Sequence, residues 1–69
     1  MKQNYCITNY NILTNKWNVI LETALLKDFL EFDTKNNAIK YAKMIAFDKK
    51  TTLYIYNKKN QLVIKREFI

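Results

Sequence analysis

The groups of this chain that can do chemistry are few. Cys6 is its only thiol, and there is no His, Ser, Gly or Pro. The chain therefore cannot assemble a Ser-His-Asp triad or a Cys-His pair. Nor can it build a zinc site from Cys and His ligands or a glycine-rich phosphate loop. The carboxylates Glu22, Asp28, Glu31 and Asp33 are close in sequence, but their spacing matches no calcium loop and reads as solvated surface charge. Nothing beside Cys6 lowers its pKa. It is either a buried apolar side chain or a thiol on an open sheet face. No enzymatic activity, cofactor, metal or small-molecule substrate is expected. The chemistry that remains is that of lysines and aromatic rings, which is binding.

The charge is uneven. Net charge is +6, from 12 Lys and Arg against 6 Asp and Glu. Residues 1–33 hold Lys2, Lys16 and Lys27 against four carboxylates, a net of −1. Residues 34–69 hold nine cations against Asp48 and Glu67, a net of +7. All the cations but Arg66 are Lys. Lysine is a point charge suited to phosphate, whereas Arg is the usual bidentate reader of guanine. A nucleic-acid surface built from Lys40, Lys43, Lys49, Lys50, Lys58, Lys59 and Lys65 would thus grip backbone with little sequence preference. The competing reading is solubility, reinforced by the Lys, Asn, Ile and Tyr enrichment of an A/T-rich genome.

These groups must be positioned by a single domain spanning 1–69. Hydrophobic residues make up 49% of the chain, too many for disorder. Residues 4–10 are rich in β-formers. A turn follows around Asn11, Thr14 and Asn15, then a strand in which Trp17, Val19 and Leu21 alternate with Asn18, Ile20 and Glu22. The alternation makes Trp17 a core anchor. Residues 23–32 fit both helical and strand spacing; the expectation is an irregular return with a short strand near Phe29 to Phe32. Thr34 caps a helix with Asn37 at its third position. Ala38, Tyr41, Ala42, Ile45 and Ala46 share the inner face of that helix, and Asn36, Lys40 and Lys43 the outer. It should end near Phe47, with Asp48–Lys50 as the connection. Thr52–Asn57 and Gln61–Phe68 are strands joined at Lys58-Lys59-Asn60, with Asn60 suited to a left-handed turn position. Leu53, Ile55, Leu62 and Ile64 should face the helix. The fold class is α+β: one helix on an antiparallel sheet of four strands, or five if residues 23–32 contribute one, in the order ββ(β)αββ.

Several of these segments resemble the small bacterial proteins grouped as domain-of-unknown-function family 2188. The likeness rests on Trp17-x-Val19, on Phe32-Asp33-Thr34-Lys35-x-x-Ala38-Ile39-x-Tyr41-Ala42, and on Leu53-x-Ile55-x-Asn57-Lys58-x-Asn60-x-Leu62. The resembling features run from Tyr5 to Phe68. That family's usual Asp-Gly turn is replaced here by Lys59-Asn60, and the Gly common at its helix end is absent. The resemblance implies a helix on an antiparallel sheet. It implies no activity.

The sheet face away from the helix should carry Tyr54, Tyr56, Val63, Lys65 and Glu67, with Ile20 and Tyr10 as neighbours. Three readings compete for it. It docks a protein partner or a second copy, it stacks bases of single-stranded nucleic acid, or it merely reflects β-propensity. The leading expectation is a non-catalytic binding module acting through protein contact at Tyr54, Tyr56, Val63, Lys65 and Phe47. Candidates include a homodimer or a phage or mobile-element inhibitor of a host nucleoprotein machine. The nucleic-acid reading is the alternative. With a lone Cys and no apolar stretch of signal-peptide length after Met1–Asn4, a cytoplasmic chain without membrane contact is expected.

Overall fold

The computed structural model describes residues 4–68; the start Met1–Gln3 weighed above for a leader lies outside them. Five strands and one helix follow in the order β1 Tyr5–Asn11, β2 Lys16–Glu22, β3 Lys27–Phe32, α1 Lys35–Lys49, β4 Thr52–Tyr56 and β5 Leu62–Glu67. They form one sheet in the order β3-β2-β1-β4-β5, with α1 lying across one face. No described helix is long and apolar enough to cross a membrane.

The sheet is mixed, which corrects the antiparallel expectation. β1 and β2 pair antiparallel, as do β2 with β3 and β4 with β5, but β1 and β4 are parallel. The reason is strand direction. β3 runs the same way as β1, and α1 carries the chain back across the sheet. β4 therefore enters beside β1 pointing the same way, the usual outcome of a helical crossover. The ambiguous segment is also settled. Thr23 to Leu26 make a turn, with the Thr23 N–H donating to the Leu26 carbonyl at 2.7 Å. A full edge strand follows from Lys27, longer than the short one expected.

The core lies between helix and sheet. Cys6, Thr8, Trp17, Val19, Leu21, Leu53 and Ile55 meet Ala38, Ala42 and Ala46, all buried. Three alanines at i, i+4 and i+8 let the helix backbone approach the sheet closely, so even a Cys and a Thr fill the space beneath it. Tyr10 packs on Trp17, ring centroids 5.1 Å apart. Phe32 packs on Tyr41 at 5.4 Å. Trp17 is thus the core anchor its alternation indicates, and Cys6 is the buried alternative, its thiol pushed up to about 12 by burial.

The chain closes its turns without glycine. Thr34 Oγ1 accepts the Asn37 N–H at 3.3 Å and caps the helix. α1 runs past Phe47 to Lys49, longer than expected. Lys50 ends it in a left-handed conformation (φ 53°). The Lys50 N–H donates to the Phe47 carbonyl and the Thr51 N–H to the Ala46 carbonyl, the paired bonds of a Schellman motif. Asn15 and Asn60 occupy the other left-handed positions. Asn57 Oδ1 accepts the N–H groups of both Lys59 and Gln61, holding the β4–β5 turn. A left-handed residue bearing a Cβ is strained by about 1 kcal/mol or more, whereas glycine gives back part of the gain through a freer unfolded chain. Lys50→Gly should therefore raise the melting temperature by a few degrees in a circular-dichroism melt; an unchanged or lower midpoint would show that Lys50 is unstrained.

Candidate functional site

Side chains alternate across a strand, so the strand registers place every residue of the face opposite α1. The central row of that face reads Phe29, Ile20, Ile7, Tyr54, Lys65, crossing all five strands. Four of the five members are apolar or aromatic. Phe29 is 53% exposed, and Ile20, Ile7 and Tyr54 are half-buried. Lys65 Nζ stands 6.0 Å from the Tyr54 ring centroid and closes the row with a cation.

A second row reads Lys27, Glu22, Tyr5, Thr52, Glu67. In it the Tyr5 hydroxyl donates to Glu22 Oε1 at 2.7 Å. On the other side of the central row, Glu31, Asn18 and Asn9 stand level, and Tyr56 lies on the same face of β4. Asn9 and Asn18 are direct cross-strand partners, and both Oδ1 atoms are buried without a hydrogen-bond partner. The charged residues of these rows are Lys27 and Lys65 against Glu22, Glu31 and Glu67. The face is therefore apolar at its centre, and its charge is balanced.

Tyr54, Tyr56 and Lys65 lie on this face as the alternation indicates. Tyr10 does not: it sits opposite Trp17 on the helix side. Leu62 was expected to face the helix, but a bulge between Ile55 and Tyr56 brings it opposite Tyr56 and leaves Val63 as the additional residue of β5. Phe47 belongs to a different surface. It is 71% exposed on α1, edge-on to Phe68 at 6.2 Å. Ile7, Phe29 and Asn9 are members of the face that the sequence alone did not single out. Their signal was the alternation of β1 with the small inner residues Cys6 and Thr8, which reverses the usual apolar-in order.

The lysines are dispersed. Lys40 and Lys43 lie on the exposed helix flank with Asn36 and Asn37. Lys49 and Lys50 are at the C-terminal end of α1, where Asp48 sits 3.7 Å from Lys49. Lys58 and Lys59 stand at the other end of the molecule with Lys35, Asn57 and Trp17. There Lys58 Nζ lies 5.0 Å over the Tyr10 ring. Lys65 is on the opposite face from Lys40 and Lys43. No single surface gathers all seven.

Among the described residues no three His, Cys, Asp or Glu side chains come close enough to hold a metal ion. No family model matches the chain, and neither a curated protein nor a solved structure matches it.

Proposed function

We propose that this chain is a non-catalytic binding module that meets another protein through the open face of its sheet. The observation that carries the reading is the row Phe29–Ile20–Ile7–Tyr54, an apolar band across four strands on the face that α1 leaves uncovered. An apolar band rimmed by charged residues is the composition of a protein interface, with a desolvated centre and a wet rim. Tyr54 and Tyr56 are the side-chain type that most often concentrates binding energy at such a centre.

Charge separates this reading from base stacking on the same face. Sheet-face readers of single strands surround their aromatic platforms with cations. Here Glu22, Glu31 and Glu67 offset Lys27, Lys65 and Lys16, the last of them tied to Asp33 at 2.8 Å, and the other described basic residues lie on other sides of the molecule.

The test compares three immobilised proteins, each checked for an unchanged melting temperature: the parent chain, Tyr54→Ala/Tyr56→Ala, and Lys40→Gln/Lys43→Gln. Proteins from a cell lysate that the parent and the lysine variant retain, and the tyrosine variant loses, support the sheet face. Retention of nucleic acid instead, abolished by the lysine changes and falling steeply with salt, would transfer the function to the helix flank.

A further inference from the structure

The two edges of the sheet differ. β5 carries the devices that keep an edge from pairing: a bulge, and adjacent cations Lys65 and Arg66. β3 has neither. Its register with β2 is unbroken from Trp17↔Phe32 to Glu22↔Lys27, and it holds no proline. Its apolar side chains stay exposed, Phe29 at 53% and Leu30 at 39%.

The direction of its outward backbone groups follows from the turn. The Thr23 N–H donates to the Leu26 carbonyl, and antiparallel pairs alternate between bonded and non-bonded. Asp28 and Leu30 therefore bond to β2, while the N–H and C=O groups of Lys27, Phe29 and Glu31 point outward. The Phe29 N–H agrees: it donates to the Asp28 carboxylate at 2.9 Å and not to β2, a local bond that pairing with another strand would exchange.

The geometry points to a homodimer formed by antiparallel pairing of β3 with β3 of a second copy, about a two-fold axis at Phe29. In that register Phe29 faces Phe29, and the residues two positions either side face each other. Lys27 of each copy then lies opposite Glu31 of the other, twice over. Opposite charges directly across an antiparallel pair are favourable and like charges unfavourable. On the helix side Leu26 comes level with the second copy's Phe32. The outward groups of Lys27, Phe29 and Glu31 are the ones this register bonds. A second copy is the occupant the charges select. Each chain carries +6, so copies repel except where the surface is self-complementary. β3 is such a place, and β5 with Lys65 and Arg66 is not. The result is a ten-stranded sheet, isologous as a two-fold contact requires. The apolar rows of the two copies run on into one another through the paired phenylalanines. This dimer does not rest on the docking role of the open face, and the tyrosine double variant should leave it intact.

Light scattering on size-exclusion fractions over a range of concentrations tests it. The parent chain should pass from monomer to dimer as concentration rises. Lys27→Glu places Glu opposite Glu, and Glu31→Lys places Lys opposite Lys; each variant alone should stay monomeric with an unchanged circular-dichroism spectrum. Mixing the two variants should restore the dimer, because every pair is then complementary. The double variant K27E/E31K should dimerise by itself. A parent chain monomeric at every concentration would overturn the proposal. So would single variants that still dimerise, or a mixture that stays monomeric.

Discussion

Replacing Trp17 with alanine should leave a chain that is largely unfolded, or close to it, at room temperature. Trp17 is 4% exposed and packed between Tyr10 and the start of α1, where Lys35 Nζ lies 5.9 Å from its ring. Removing a buried aromatic side chain costs about 3–5 kcal/mol, transfer and cavity together. At about 0.05–0.15 kcal/mol per residue, a chain of this length has only some 3–10 kcal/mol in all. Urea unfolding followed by circular dichroism reads the effect, since the variant has no tryptophan left for fluorescence. A midpoint near that of the parent would mean that Trp17 is a surface platform and that the core lies elsewhere. Phe47→Ala is the contrast: it removes a ring that is 71% exposed and should change stability by well under half as much.

The same physics decides which parts of the molecule the sequence makes legible. β2 and β4 are plain because one face is buried and the other wet, so their apolar residues recur every second position. The helix is plain because Thr34 caps it and the alanines recur at helical spacing. β3 is not plain. It lies at an edge, where Leu26, Phe29 and Leu30 remain exposed and neither face imposes a period. The parallel pairing of β1 and β4 follows from counting strand directions, but only once β3 is known to be a strand. With four strands that count comes out differently. β1 misleads in a third way. Its inner residues Cys6 and Thr8 are small and its outer residues Tyr5 and Ile7 larger, because closely packed alanines leave little room inside. Tyr10 therefore falls on the helix side with Cys6 and Thr8, and Ile7 at the centre of the open face. The bulge at Val63 has no signature in a run as uniformly β-forming as Leu62–Ile64. As for the lysines, composition reveals their number. It cannot reveal that they are divided between two ends, a flank and the opposite face.

The inverted pattern of β1 leads to a substitution that should stabilise the protein. Thr8 is fully buried, and its hydroxyl has no hydrogen-bond partner. It lies between Val19 of β2 and Ile55 of β4 on the helix side of the sheet, an apolar surrounding. A buried hydroxyl without a partner costs about 1–3 kcal/mol by mutational measure. Valine has nearly the same shape, keeps the β-branch that suits a strand, and needs no partner. Thr8→Val should therefore add about 1–2 kcal/mol. For a domain of this size that raises the melting temperature by roughly 4–8 °C per kcal/mol. The sign is what discriminates. If the Thr8 hydroxyl forms a hydrogen bond within the core, removing it is destabilising, and the midpoint falls. A rise confined to Thr8→Val, with Thr8→Ala falling because it opens a cavity, would show that the central strand of this sheet carries an unmet polar group beneath its helix. That group is a cost the fold tolerates because Ala38, Ala42 and Ala46 hold the two layers too close for a partner to enter.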